Sequence, residues 1–194
     1  MINDVLEQIV EDYFREKGYF TQHNVKYRPK KKGPAYSVHS DIDILGIHPR
    51  KRGRKRVVVV SCKSWQGGLN IERALREFKA DLNKRSSGRE IWKGFREITS
   101  KVWARALKDK VYALTGQKEF EFYVALTKYQ GSKESWESFP LFKRNLPNCR
   151  IKLIDMKAMI LDLEKSLTTT PAHSELSRLL QLIKADKGKI EYKK

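Results

Sequence analysis

Two stretches of the chain carry residues whose types and spacing could do chemistry together. Ser40-Asp41-Ile42-Asp43-Ile44-Leu45-Gly46 sets two carboxylates two positions apart, and Val57-Val58-Val59-Val60-Ser61-Cys62-Lys63 ends a run of valines on a lysine. Strand side chains alternate, so Asp41 and Asp43 are expected on one face and Ile42 and Ile44 on the other. Ser61 and Lys63 likewise share a face, and Cys62 opposes them. A lysine that finishes an apolar run is out of place unless something uses or neutralises it. If the two stretches form a hairpin, an acid and a lysine lie side by side at the end of an apolar sheet. Phosphodiester hydrolysis employs such a group: carboxylates hold a divalent cation, while an ammonium stabilises the developing negative charge. Hard oxygen ligands select magnesium or manganese.

The elements that must position these residues can be read from periodicity. Residues Asn3 to Lys17 repeat apolar side chains at helical spacing and stop at Gly18. Tyr19 to Tyr27 and Ser40 to Ile47 read as strands, separated by a basic loop and followed by a turn packed with cations. Val57 to Lys63 is the strongest strand signal, because β-branched residues in an unbroken apolar run suit a central strand covered on both faces. Gly67 and Gly68 break it. Asn70 is placed to cap a helix from Ile71 to about Asn83, with Ala74, Leu75 and Phe78 as its stripe. Residues 89 to 111 read as one helix with Ile91, Phe95, Ile98, Val102 and Ala106 on one face. Phe120 to Lys128 and Arg150 to Asp155 are strands joined by an aromatic, turn-rich connection, and helices Met156 to Leu167 and Ser174 to Lys187 finish the chain.

This order predicts an α/β fold, a mixed sheet with helices on its faces. It predicts one domain over 1–194, with a core of 1–83 and 119–167, a basic helical insertion at 84–118, and a C-terminal helix and tail at 168–194.

Charge points to the partner. Against 23 acids stand 41 lysines and arginines, a formal net charge of +18, which implies a polyanion because each neutralised phosphate releases condensed counterions. Nucleic acid is expected and a membrane is not, since no strongly amphipathic basic helix, lipidation motif or long apolar run is present, and composition alone leaves a ribosomal-type binding protein equally open. The acidic start lacks the pattern of a secretory signal, so the expected location is cytoplasmic. Two isolated cysteines and four scattered histidines give no zinc or disulfide pattern. Lys30, Lys31 and Lys32 before the Asp43 strand, Arg52, Arg54 and Lys55 after it, and Lys93 and Arg96 in the insertion are the candidate phosphate-backbone contacts. Charge runs of this kind are also ordinary solvated faces. Phe95 and Trp103 fit the core better than a base-stacking role.

These motifs resemble the PD-(D/E)xK nucleases, and within them the Mrr-like restriction endonucleases. The resemblance runs from Leu6 to about Phe78. Leu6-Glu7 through Gly18-Tyr19 looks like the family's opening helix, which often offers a glutamate to the site. Asp43 takes the position of the metal-binding aspartate, with Ile42 where the family name has proline. Val60-Ser61-Cys62-Lys63-Ser64-Trp65 looks like the (D/E)xK strand. The resemblance implies a restriction-endonuclease-like sheet, hydrolysis leaving a 5′-phosphate, a magnesium or manganese cofactor, and a homodimer if both DNA strands are cut.

Ser61 departs from the pattern, because a serine replaces the acid two places before the lysine. In a subgroup of restriction endonucleases that acid comes from the next helix, and Glu77, fourteen positions after Lys63, stands where it is expected. Glu77 can equally be a solvated helix glutamate. Glu7 is a further candidate ligand or simply a first-turn acid favoured by the helix dipole. Cys62 reads as a small buried residue whose carbonyl can reach the metal. The expected site is therefore Asp43, Lys63, Glu77 and Glu7, with Asp43, Glu77 and Cys62 around the metal. Two other readings follow from the same residues. One is a non-catalytic nucleic-acid-binding module of the same fold, for which Ser61 speaks. The other is a structure-selective nuclease of the junction-resolving kind.

Overall fold

The structure is a computed structural model that describes residues 4–30, 38–79, 91–168, 172 and 174–191. Lys31, Lys32 and the stretch 80–90 lie outside the described residues.

Helix α1 (Val5–Glu16) is followed by strands β1 (Phe20–Tyr27), β2 (Ser40–Ile47) and β3 (Val57–Lys63). A short β4 (Leu69–Asn70) leads into α2 (Ile71–Lys79), α3 (Arg96–Thr99) and α4 (Lys101–Thr115), and then β5 (Glu121–Leu126) and β6 (Tyr129–Gln130). Helices α5 (Lys133–Glu137) and α6 (Pro140–Asn145), strand β7 (Arg150–Asp155), α7 (Met156–Ser166) and α8 (Glu175–Glu191) complete it. The fold is mixed α/β, as expected: a five-stranded sheet in the order β1-β2-β3-β5-β7, antiparallel over β1, β2 and β3 and parallel over β3, β5 and β7.

The valine run makes β3 the centre of two cores. Val57 and Val59 pack with the buried side chains of α2, α4, α5 and α6, whereas Val58 and Val60 pack with α1 and α7. All four are at most 1 % exposed. Each such side chain contributes roughly 1.5–3 kcal/mol by leaving water, which fixes the strand that ends on Lys63. Helix α8 is held to α1 through buried Asp12, which accepts from the hydroxyls of Ser174 and Ser177. Among the described residues, no helix is long and apolar enough to cross a membrane.

Two expectations are corrected. Residues 91–115 do not form one helix: a 3-10 turn over Ile91–Phe95 precedes α3, and Ser100 is extended at φ −108° and ψ 122° before α4 begins. That break re-phases the second helix. Trp103, Ala104, Leu107 and Val111 turn inward, while Val102 and Ala106 are only half-buried. This stretch also belongs to the larger core, with Phe95, Ile98 and Trp103 at its centre, and forms part of the crossover from β3 to β5. The second correction concerns 130–147, which holds two short helices whose Trp136 and Phe142, with Phe139 between the helices, close around Phe78.

Candidate active site

The hairpin of β2 and β3 brings Asp43 and Lys63 together, but not by simple alternation. Strand β2 pairs with β3 from Ile47↔Val57 to Ile44↔Val60 and then parts from it. Just there its side-chain alternation switches, since Ile44 packs in the α1 core and Ile42 in the opposite one. The two isoleucines were expected on one face. The ladder of β1 and β2 misses a pair at the same level, between His23↔Ile44 and Val25↔Ile42, where Asn24 takes a left-handed φ of 51°. Asparagine tolerates that conformation better than most residues. The twist turns Asp43 into the gap between the parted strands, where its Oδ2 accepts the Cys62 backbone N–H at 2.5 Å.

Strand β3 meanwhile continues beside β5 as far as Lys63↔Leu126, so the lysine stands on a supported strand end. Its Nζ donates to the Ser61 hydroxyl at 2.7 Å, confirming that the two share a face. Ser61 itself is only 5 % exposed. Burial pushes the Asp43 carboxyl above its ordinary range; the Lys63 charge and the Cys62 N–H oppose this, and Glu97 and Asp41 push further up.

Glu7 reaches the same place from α1. Asp4 caps the helix by accepting the Leu6 N–H at 2.8 Å, and its other oxygen accepts the Ser64 hydroxyl, tying the helix N-terminus to the end of β3. The Glu7 carboxyl is raised, first by burial and next by the charge of Asp43. Cys62 packs against the α1 core, where burial pushes its thiol well up, so it is an inert side chain.

The Glu77 carboxylate is paired within its own helix. Helix α2 buries Ile71, Ala74 and Phe78, and the carboxylate next to Phe78 turns instead to Arg73, one helical turn earlier, at 3.1 Å. The charges that weigh on Asp43 include Glu97, which sequence reasoning missed. Helix α3 carries it, and Arg96 anchors that helix: its guanidinium donates to the His39 carbonyl at 3.0 Å and to the Ser40 hydroxyl at 3.4 Å, and stacks over Trp103. Glu97 is 6 % exposed, and its Oε1 has no hydrogen-bond partner. In sequence it looked like an ordinary polar position between Phe95 and Ile98; nothing local marks it as buried.

The expected cations divide. Arg52, Arg54 and Lys55 are exposed, but they sit in the turn before Val57, at the opposite end of β3 from Lys63. Seven strand residues separate them, on the order of 20 Å. Lys30 is at the other side, and with Lys26, Arg28, Lys101, Arg105 and Lys110 it lines a groove of about 860 Å³ between the end of β1 and α4. Lys93 is exposed on the 3-10 turn. A second cleft of about 830 Å³, lined by Ser64, Trp65, Asn70, Arg73, Lys128 and Tyr129, opens directly after Lys63.

No protein-family model matches the chain, and comparison with curated proteins and with solved structures gives no match either. The residues themselves must carry any assignment.

Proposed function

We propose that this chain is a metal-dependent endodeoxyribonuclease. The observation that carries the reading is the meeting of Asp43 and Lys63 at the parted end of β2 and β3, with a cationic groove on one side and a cleft on the other. Among the described residues, no three His, Cys, Asp or Glu side chains stand close enough to hold a metal by themselves. Magnesium does not require that, because it keeps several waters and takes one or two carboxylates. The Asp43 carboxylate and the Cys62 carbonyl would hold it, with Glu7 close by, and all are hard oxygen donors. When bound, the ion supplies Lewis-acid polarisation of the phosphate and a more acidic water. Lys63 spends one ammonium hydrogen on Ser61, leaving two for phosphate oxygens as negative charge grows. Ser61 thereby orients the lysine, where the family's acid would both orient it and bind metal. Restriction or defence, with a homodimer for double-strand cutting, follows from the resemblance alone.

The test is incubation with duplex DNA and with four-way junctions in magnesium, followed by product mapping. The reading expects 5′-phosphate ends and their loss in Lys63→Ala and Asp43→Ala. Undiminished cleavage by either variant would overturn it. The buried hydroxyl at position 61 favours a second reading, a nucleic-acid-binding module that does not cut. That reading expects salt-sensitive binding indifferent to magnesium and no cleavage by the native chain.

A further inference from the structure

The site pairs Lys63 with a serine where the sequence pattern called for an acid, while one oxygen of a buried acid nearby has no hydrogen-bond partner. Buried carboxylates are otherwise paired, hydrogen-bonded or bound to metal, because removing the charge from water is costly without compensation. Oε1 of Glu97 has no hydrogen-bond partner. The adjacent Arg96 is turned away onto His39, Ser40 and the Trp103 ring, and Lys63 is turned onto Ser61. The other orphaned atom among the described residues, Trp136 Nε1, sits in an aromatic cluster without an acid and offers no such site.

Position matters as much as burial. Arg96 fixes α3 to His39 and Ser40, the start of the strand that carries Asp43, and Ser40 pairs with Tyr27 across the ladder. Glu97 follows on the core side, between buried Phe95 and Ile98. Glu7 therefore belongs to the helix that packs one face of the sheet and Glu97 to the crossover that packs the other, and both act electrostatically on Asp43 at the switch in alternation.

From this we infer that Glu97 is the second metal-ligating carboxylate of the site, taking a divalent cation together with Asp43, and that Glu77 has no part in it. The assignment rests on the nuclease reading for its purpose, but it can be tested without cleavage. Glu97→Gln keeps the shape and removes the charge. Titration of the native chain with Mn²⁺ by calorimetry, without DNA, should show binding that Glu97→Gln and Asp43→Asn each weaken tenfold or more and Glu77→Gln leaves unchanged. Mn²⁺ should raise the melting temperature of the native chain and leave that of Glu97→Gln unchanged. Native affinity for Mn²⁺ in Glu97→Gln or absence of binding by the native chain would overturn the inference. If Mn²⁺ binding depends on Glu97 while the native chain cuts no DNA, the nuclease reading fails and the metal site stands.

Discussion

The Asp43 carboxylate accepts the backbone N–H of Cys62 at 2.5 Å across the point where β2 and β3 have parted. A main-chain donor that would have belonged to the ladder is satisfied by a side chain, and that side chain is held at the sheet's open end. Buried donors must be paired. Asp43 therefore supports the fold locally at the open end of the sheet.

Asparagine and alanine at position 43 should accordingly separate. Asp43→Asn keeps an acceptor for Cys62 and removes a charge disfavoured by burial, so stability should hold within about 1 kcal/mol while cleavage is lost. Asp43→Ala leaves the N–H unpaired and should cost about 1–3 kcal/mol as well. Urea denaturation beside a cleavage assay reads both.

Lys63 and Ser61 should differ in rank. Lys63→Ala removes the ammonium and should slow cleavage by about 100- to 1000-fold, the usual cost of one charge-stabilising donor. Ser61→Ala only frees that ammonium from one hydrogen bond and should slow cleavage less than about tenfold, with stability lower by about 1 kcal/mol. Equal losses in the two variants would mean that the serine itself binds substrate or metal. Single-turnover rates with saturating magnesium make the comparison.

Glu11 gives a pH dependence remote from the site. Burial raises its carboxyl, but the hydrogen bond and charge of His23 at 2.8 Å, then Thr21 and Arg15, outweigh this and hold it below its ordinary value of 4.5. A depressed acid contributes stability that is present above its unfolded pKa and lost as pH falls through the lower folded one. Unfolding free energy should thus decline from about pH 5 downward, with Glu11 contributing to the slope. In Glu11→Gln that part of the slope should vanish, as denaturant titrations between pH 6 and pH 3 would show.

Gly68 shapes the loop that leaves Lys63. Its φ is +75°, and a Cβ there would lie 2.8 Å from the Lys128 carbonyl oxygen. Gly68→Ala should cost about 1–3 kcal/mol from left-handed strain and overlap together. Gly67 has open space around it, so Gly67→Ala is the matched control in thermal melts.

The two cation groups should also behave differently towards DNA. Lys101→Glu with Arg105→Glu reverses charge in the groove beside β1 and should weaken binding and flatten its salt dependence, by about two units of slope if both touch phosphate. Arg52→Glu with Arg54→Glu, at the far end of β3, should do less. Binding isotherms across a salt series decide between them.

Much of the frame was legible because it depends on local composition. Strands β2, β3 and β7 run over the stretches their apolar residues marked, and Asn70 caps α2 by accepting the Arg73 N–H at 2.9 Å. The four valines made β3 central, and the basic turn made a hairpin of β2 and β3, which is enough to bring Asp43 near Lys63. The Lys63 partnership with Ser61 follows from strand alternation in the same way.

Tertiary structure decided the rest. Whether an acid faces the site or the solvent depends on how a helix is turned against the sheet. Glu77 and Glu97 look alike in sequence, yet packing of Phe78 sends one to Arg73, and the extended Ser100 and the Arg96 anchor leave the other buried with one oxygen unpartnered. The strand length that carries Lys63 to the site also carries Arg52, Arg54 and Lys55 away from it. Sequence by itself determined which strands exist and which of them carry the acid and the lysine, since β-branched runs and turns act over a few residues. Only the packed fold determined which further carboxylate and which cations stand beside that pair, because those choices are made by contacts between residues far apart in the chain.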